Sequence, residues 1–237
     1  MNMENEQSVW GQASSLDFFS DERQTPEDLY PSERIFLPDA AKRAKSILDV
    51  GCACGGFATI THSFNENLKY TGIDIVPEML IRARKLQTAA SFAVAAGQQL
   101  PFASQSFDLV HCSGSIHLNS HYRELIADMW RVTRHQLLFD LRLTEGPSME
   151  GKFRVDFDRS GEGGLLPYIV INIGEMRELI DKFLGAPDHV RLYGYHHPAS
   201  STAILPDDIN LIMAFLLLSR TSTESGWDVT IEDDAPK

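Results

Sequence analysis

Residues 46–56 (SILDVGCACGG) constrain the fold of this chain more than any other stretch. An apolar run, Ile47, Leu48 and Val50, predicts a buried strand, with Asp49 near its carboxyl end. Gly51, Cys52, Ala53, Cys54, Gly55 and Gly56 follow at once and form a turn with almost no side-chain bulk. Such a turn lets a ligand approach backbone N–H groups closely. In an open parallel sheet this is where ligands bind. A second strand over residues 69–75 (KYTGIDI) also ends in an acid, Asp74. An acid at that place can accept hydrogen bonds from ribose hydroxyls.

Two ligands satisfy this logic, a nicotinamide dinucleotide and S-adenosylmethionine. The dinucleotide fingerprint asks for glycine at Gly51, Ala53 and Gly56, so the fit is imperfect. It asks for no acid inside the first strand's end. Asp49 would attract a cationic amino-acid portion and repel a diphosphate. At these residues the chain resembles the class I S-adenosylmethionine-dependent methyltransferases of small-molecule type. Residues 47–56 (ILDVGCACGG) are similar to their first motif, and residues 70–80 (YTGIDIVPEML) to their second. Residues 95–110 (AAGQQLPFASQSFDLV) resemble the third region, a Leu-Pro-Phe turn before a Phe-Asp-Leu-Val strand. The motifs stand in family order, and the likeness covers roughly residues 30–220.

The resemblance implies a Rossmann-like α/β fold: a seven-stranded, mostly parallel sheet with helices on both faces and a terminal antiparallel strand pair. It implies S-adenosyl-L-methionine as cofactor. The implied donor-binding residues are Asp49, Gly51, Cys52, Ala53 and Gly55 in the first motif, with Asp74 and Ile75 in the second. Gly97 and Gln98, Cys112 and Ser113, and Tyr30 and Arg34 of the segment before the first strand complete the set. His117 follows the fourth strand, where the family's loop borders the methyl group, and is the candidate catalytic base. The alternative for His117 is a gating or donor contact without proton transfer. The chain also departs from the family. Ala53 stands where glycine is usual. Ala96 stands where an acid usually contacts the adenine amino group, which leaves the Gly97 N–H and Gln98 to read that edge. The glycine-rich turn before the fifth strand is absent, with only residues 133–135 between helix and strand.

Strand and helix alternate through the middle of the chain, which predicts βαβ units. Pro77 opens a helix with Met79, Leu80, Ala83 and Leu86 on one face, and Leu125, Ile126, Met129 and Trp130 mark another. Residues 143–167 break the rhythm with glycines and prolines around two β-rich runs. An inserted β-flap over about 144–167 is expected there, covering the acceptor. Met176, Leu179, Ile180, Phe183 and Leu184 then predict a helix ended by Gly185. Residues 190–196 and 210–218 are the expected final strand pair. Residues 1–43 are read as a partly helical lid over the donor site, loose before residue 26. Residues 44–220 are the methyltransferase domain, and residues 221–237 an acidic disordered tail.

Net charge is −12, with 33 acidic and 21 basic residues, and no basic cluster stands out. A nucleic-acid substrate is disfavoured. The polar, acidic opening lacks a signal-peptide pattern, and residues 209–218 are too few to span a membrane, so a cytoplasmic protein without a membrane partner is expected. The three cysteines read as reduced and buried; Cys52 and Cys54 do not make a zinc framework. His117 and His121 have a helical metal spacing, but no third ligand accompanies them and Asn119 reads as a helix cap.

Methyl transfer from a sulfonium asks the protein mainly to align acceptor and donor and exclude water. The leading expectation is an enzyme methylating a small molecule or peptide, at N or O ahead of C. The second class is a catalytically inactive S-adenosylmethionine-binding regulator or partner subunit, to which Ala53 and Ala96 lend support. A nicotinamide reductase comes third. The acceptor and the oligomeric state stay open.

Overall fold

The computed structural model describes residues 3–97, 99–158, 163–205 and 209–236. Its strands are β1 (Ser46–Val50), β2 (Lys69–Asp74), β3 (Ser91–Val94), β4 (Phe107–Cys112) and β5 (Thr133–Thr144), then β6 (Met149–Val155) and β7 (Gly164–Asn172), and finally β8 (His189–Pro198), β9 (Ala203–Ile204), β10 (Asn210–Ser219) and β11 (Gly226–Glu232). The main sheet runs β3-β2-β1-β4-β5-β10-β8-β11. β1 pairs in parallel with β2 on one side and β4 on the other. The chain therefore leaves β1 toward one edge and returns on its other side, which opens a crevice at the carboxyl ends of β1 and β4. β10 runs antiparallel to both β5 and β8, the expected terminal pair.

Adjacent strand residues face opposite layers, as the pleat requires. Leu48, Val110 and Phe139 pack with the helix Tyr122–Val132, while Ile47, Leu109 and Leu138 pack with the helices Leu37–Arg43 and Phe57–Phe64. The helix after β7 starts as α-helix over Ile173–Glu178, with the Asn172 side chain accepting from Gly174 and Glu175 N–H, and widens to a π-turn over Leu179–Phe183. Gly185, at φ +78°, ends it.

The flap is an antiparallel hairpin of β6 and β7 that extends to Asn172, beyond the expected boundary, and gains β9 as a third strand. Leu166 and Val170 of this hairpin pack with Val9, Leu118 and Leu211.

Two expectations fail. Residues before 26, read as loose, form the helices Met3–Trp10 and Ala13–Asp21. Arg82 ties the second of these down, donating to Leu16 O, Asp17 Oδ1 and Ser20 Oγ. The tail, read as disordered, carries β11, which adds an eighth strand to the main sheet in parallel with β8. Trp227 and Ile231 alternate onto the core, and the Trp227 Nε1–H donates to Asp181. Among the described residues, no helix is long and apolar enough to cross a membrane.

Candidate active site

The turn after β1 is held by its own amides. Gly51 N–H and Cys52 N–H both donate to Ile73 O at 2.9 Å. Ala53 N–H donates to Asp74 Oδ2 and Val76 N–H to Asp74 Oδ1, each at 2.9 Å. Gly51 is needed twice over: its φ is +77°, and a Cβ there would lie 2.6 Å from Ser115 Oγ. Ala53 also sits in the left-handed region at φ +47°, where glycine costs less. Burial pushes the Asp74 carboxyl up to about 6, against the opposing pull of the amide hydrogen bonds.

A cavity of about 510 Å³ lies above this turn. Its wall follows the sheet from β2 to β10: Asp74 and Ile75, then Gly51 and Ala53, then Ser113 and His117, then Arg142 and Met213. Gly97 closes it beside Leu125, whose Cδ1 would lie 2.3 Å from a Cβ at that glycine. The N-terminal helices and the flap cover it with aromatic side chains. Phe18 stacks on Phe157 of the flap at 4.2 Å between ring centroids, and Phe19 and Trp10 stand beside them.

Of the residues expected to bind the donor, Gly51, Ala53, Asp74, Ile75, Gly97, Ser113 and Tyr30 line this cavity, as does His117. Gln98 lies outside the described residues. Five others are not on the wall. Asp49 is 3% exposed, and its carboxylate accepts from the Tyr70 hydroxyl and pairs with His111 Nδ1 at 2.9 Å. Gly55 faces the layer behind, where a Cβ would meet Phe92 at 3.0 Å. Cys52 and Cys112 are buried strand-end residues whose thiols burial pushes far above the usual range. Arg34 donates to Glu27 O and Leu29 O and so ties together its own segment.

In the segment before β1, the arginine that lines the cavity is instead Arg23. Its Nη2 pairs with Glu33 Oε1 at 2.7 Å, its Nη1 donates to Ser113 Oγ at 3.3 Å, and its guanidinium lies against Tyr30 and Phe57. Glu33 also pairs with His111 Nε2 at 2.9 Å. Arg23, Glu33, His111, Asp49 and Tyr70 thus form one continuous polar chain behind the wall. Burial would raise the Glu33 carboxyl, but Arg23 and His111 hold it at about 2. Burial would likewise lower His111, and its bonds to Asp49 and Glu33 raise it instead. The sequence offered one signal for this chain, a histidine inside the apolar run of β4, directly across the parallel register from Asp49.

At the β5 end, Arg142 Nη1 donates to Asp140 Oδ2 at 2.6 Å, and Gly114 N–H donates to Asp140 Oδ1 at 2.8 Å. His117 Nδ1 lies 3.8 Å from that same Oδ2 and is buried without a hydrogen-bond partner among the described residues. Burial, assisted by the charge of Arg142, holds His117 well below the ordinary histidine range, so the imidazole is neutral. His117 sits on a short 3₁₀ turn, Ile116–Leu118, and His121 precedes the next helix, so the two do not share a helical face. Away from the cavity, His189, Glu224 and Asp228 bring their ligand atoms within 4.8 Å of one another. Both acids are exposed, and the cluster ties β11 to β8.

Residues 47–136 match a family model described as a methyltransferase domain. This stretch is a class I S-adenosylmethionine-dependent methyltransferase domain. The phthiotriol/phenolphthiotriol dimycocerosates methyltransferase of Mycobacterium leprae (strain TN) is 31% identical over 157 residues, 60% of this chain and 57% of that protein. The demethylmenaquinone methyltransferase of Deinococcus radiodurans is 31% identical over 96 residues, 39% of this chain and 40% of that protein. The matches thus reach only about half of these curated relatives' length. Among solved structures, the N-terminal domain of EvdMO1 with S-adenosylhomocysteine and D-fucose superposes with a TM-score of 0.59 at 14% identity, covering 84% of each chain. The Bacillus subtilis YcgJ protein superposes with a TM-score of 0.53 at 15% identity, over 79% of this chain and 97% of its own. At these identities they share the fold of the methyltransferase domain.

Proposed function

We propose that this chain transfers the methyl group of S-adenosylmethionine to a small, largely apolar acceptor. The observation that carries this reading is the continuity of the cavity. One chamber joins the turn after β1 and Asp74 to a second compartment at His117, Arg142 and Tyr168. Its volume of about 510 Å³ falls within the range of small-molecule sites, about 300–1,000 Å³.

The residues present fit the donor. The Asp74 carboxylate accepts from the turn amides of Ala53, Ile75 and Val76, and its two oxygens together keep a lone pair for a ribose hydroxyl. Ile75, Met79 and Leu125 offer apolar surface for the adenine, with the Gly97 amide at its edge. Arg23, not Arg34, is the cation suited to the donor's carboxylate, with Ser113 beside it. The bound donor supplies an electrophilic methyl on a sulfonium. His117 takes the place beside the acceptor as base, since a neutral imidazole can accept a proton. The lid and flap aromatics exclude water from the reacting atoms. Their rings also favour an apolar acceptor body, and the names of the relatives that act on phthiotriol dimycocerosates and demethylmenaquinone support a small-molecule acceptor.

The test has two arms. S-adenosylhomocysteine should raise the melting temperature in proportion to its saturation, and NAD should not. Incubation of a metabolite extract with isotopically labelled donor should yield a labelled, organic-extractable product detected by mass spectrometry. Protection by NAD but not by S-adenosylhomocysteine would overturn the donor assignment. Tight donor binding with no labelled product would favour the inactive, donor-binding alternative.

A further inference from the structure

The acceptor end of the cavity holds three buried polar side chains in an arrangement that a mere ion pair does not explain. Asp140 Oδ2 is 2.6 Å from Arg142 Nη1 and 3.8 Å from His117 Nδ1. Both Arg142 and His117 are only 6% exposed, yet both line the cavity. His117 Nδ1 has no hydrogen-bond partner among the described residues, and the Asp140 carboxylate stands 3.8 Å from it. Proton occupancy at Nδ1 leaves Nε2 with a lone pair for the acceptor. When Nε2 takes a proton, the imidazolium that results faces the Asp140 carboxylate at 3.8 Å, which offsets part of the opposing effect of burial and of Arg142. Arg142 meanwhile places a fixed positive charge beside Tyr30 and Tyr168 of the cavity wall, with Tyr195 behind them also within its field. Asp140 and His117 stand beside the same guanidinium, and its charge disfavours protonation of His117.

This charge pattern selects an acceptor. An amine becomes cationic as it gains a methyl group and would be repelled by Arg142. An aliphatic alcohol is too weak an acid for a neutral imidazole to ionise. A phenolic or enolic hydroxyl, with a pKa near 10 or below, is brought within reach once Arg142 stabilises its oxyanion. Phe153, Leu211 and Met213 give the wall apolar surface, beside the polar residues Asn119, His197 and Ser200.

We propose that the acceptor is a phenolic or enolic hydroxyl on an apolar body, deprotonated by His117, with Arg142 holding the oxyanion and Asp140 positioning the imidazole. This rests on the methyltransferase reading above and names its substrate class. The proton passes from the acceptor oxygen to His117 Nε2 and then to solvent. The oxygen's electron pair forms the O–CH₃ bond, and the pair of the broken S–CH₃ bond returns to sulfur. His117 and Arg142 touch the acceptor. Asp140 acts through His117.

The test uses the full chain saturated with S-adenosylhomocysteine and a chromophoric 4-alkyl-2-nitrophenol. At one pH unit below the free phenol's pKa, about a tenth of it is ionised in solution, by the definition of pKa. The bound phenol should be mostly ionised, a several-fold rise in phenolate absorbance, and Arg142→Gln should abolish the rise. Asp140→Asn should leave the bound nitrophenol ionised, because Arg142 keeps its charge. It should still cut methyl transfer to the plain 4-alkylphenol by about 10²-fold, the scale of general-base catalysis. A purely structural Asp140 would lose both readouts together. Should Arg142→Gln fail to fold, Arg142→Lys keeps the charge but loses the planar fork, and should retain a reduced rise. No rise in phenolate absorbance with the wild-type protein overturns the proposal, as does faster methylation of the matching 4-alkylaniline. Failure of S-adenosylhomocysteine to bind overturns the donor reading instead, and is scored by its own titration.

Discussion

Asp49 and Asp74 are the same residue type, on neighbouring strands of one motif, yet the fold uses them in opposite ways. Asp49 faces His111 across the β1–β4 register, and that imidazole, with Tyr70, closes it off from the cavity. Asp74 has only turn amides for partners and remains on the cavity wall. The sealed carboxylate belongs to a chain of charges that anchors the lid segment through Glu33 and Arg23. The open one is available to a ligand. A strand-end acid is therefore defined by what the next strand places opposite it, more than by its own position.

The largest effect should come from the sealed region. Glu33→Ala strips the acid from between Arg23 and His111 and leaves the guanidinium and the buried imidazole without it. Removing one partner of such a pair typically costs about 3–5 kcal/mol. Denaturant unfolding should record a loss of that order, and a loss within 1 kcal/mol of zero would mean the chain is not holding the lid.

The open region should respond in turnover with little change in stability. His117→Ala should lower methyl transfer about 10²-fold or more, about 2.7 kcal/mol on the activation barrier, while S-adenosylhomocysteine binding stays within several-fold. Turnover near wild type would return His117 to the role of a wall residue.

A smaller and pH-dependent effect is expected at Asp74. Its folded-state pKa is raised to about 6, so the free protein takes up a proton there as pH falls through 6. Ribose hydroxyls bond best to the charged form, so donor affinity should climb between pH 5 and pH 7 and level off above. Asp74→Ala should weaken binding at pH 7 by about tenfold or more, consistent with about 1.5–3 kcal/mol for a hydrogen bond to a charged group. It should also flatten the pH dependence. A wild-type affinity that is flat over this range would place the ribose elsewhere.

The smallest effect is at Ala53, the one left-handed non-glycine residue of the donor turn. Ala53→Gly relieves strain of about 1–2 kcal/mol but frees the unfolded chain by about 0.4–1 kcal/mol. A net gain of between zero and about 1.6 kcal/mol in thermal unfolding is expected, with donor binding unchanged.

The βαβ alternation, the turn after β1 and the cavity-facing acid Asp74 were legible because they are local: a few consecutive residues specify strand, turn and acid together. His117 was legible from its place in the loop after β4. Glu33, His111 and Arg23 were not, because they meet only when β4 lies beside β1 and the lid folds over both. Arg23 and Arg34 are both near Tyr30 in the chain, and only the turn at Arg23, at φ +56°, decides which one reaches the cavity. Arg142 and Asp140 sat unread inside β5, where the apolar run masked two charges that pair with each other. The polar tail hid β11 because alternation at Trp227 and Ile231 is spread among acids.

The most direct test of the contrast between the two acids is a paired calorimetric titration of S-adenosylhomocysteine into Asp49→Asn and Asp74→Asn, each with its unfolding curve. Asp49→Asn should unfold earlier than wild type yet bind with near wild-type affinity at a temperature where it is folded. Asp74→Asn leaves one turn amide without its acceptor, so it should lose some stability, and it should lose affinity at a temperature where it is folded. Loss of binding by a fully folded Asp49→Asn, together with normal binding by Asp74→Asn, would contradict this assignment of the sealed and open carboxylates.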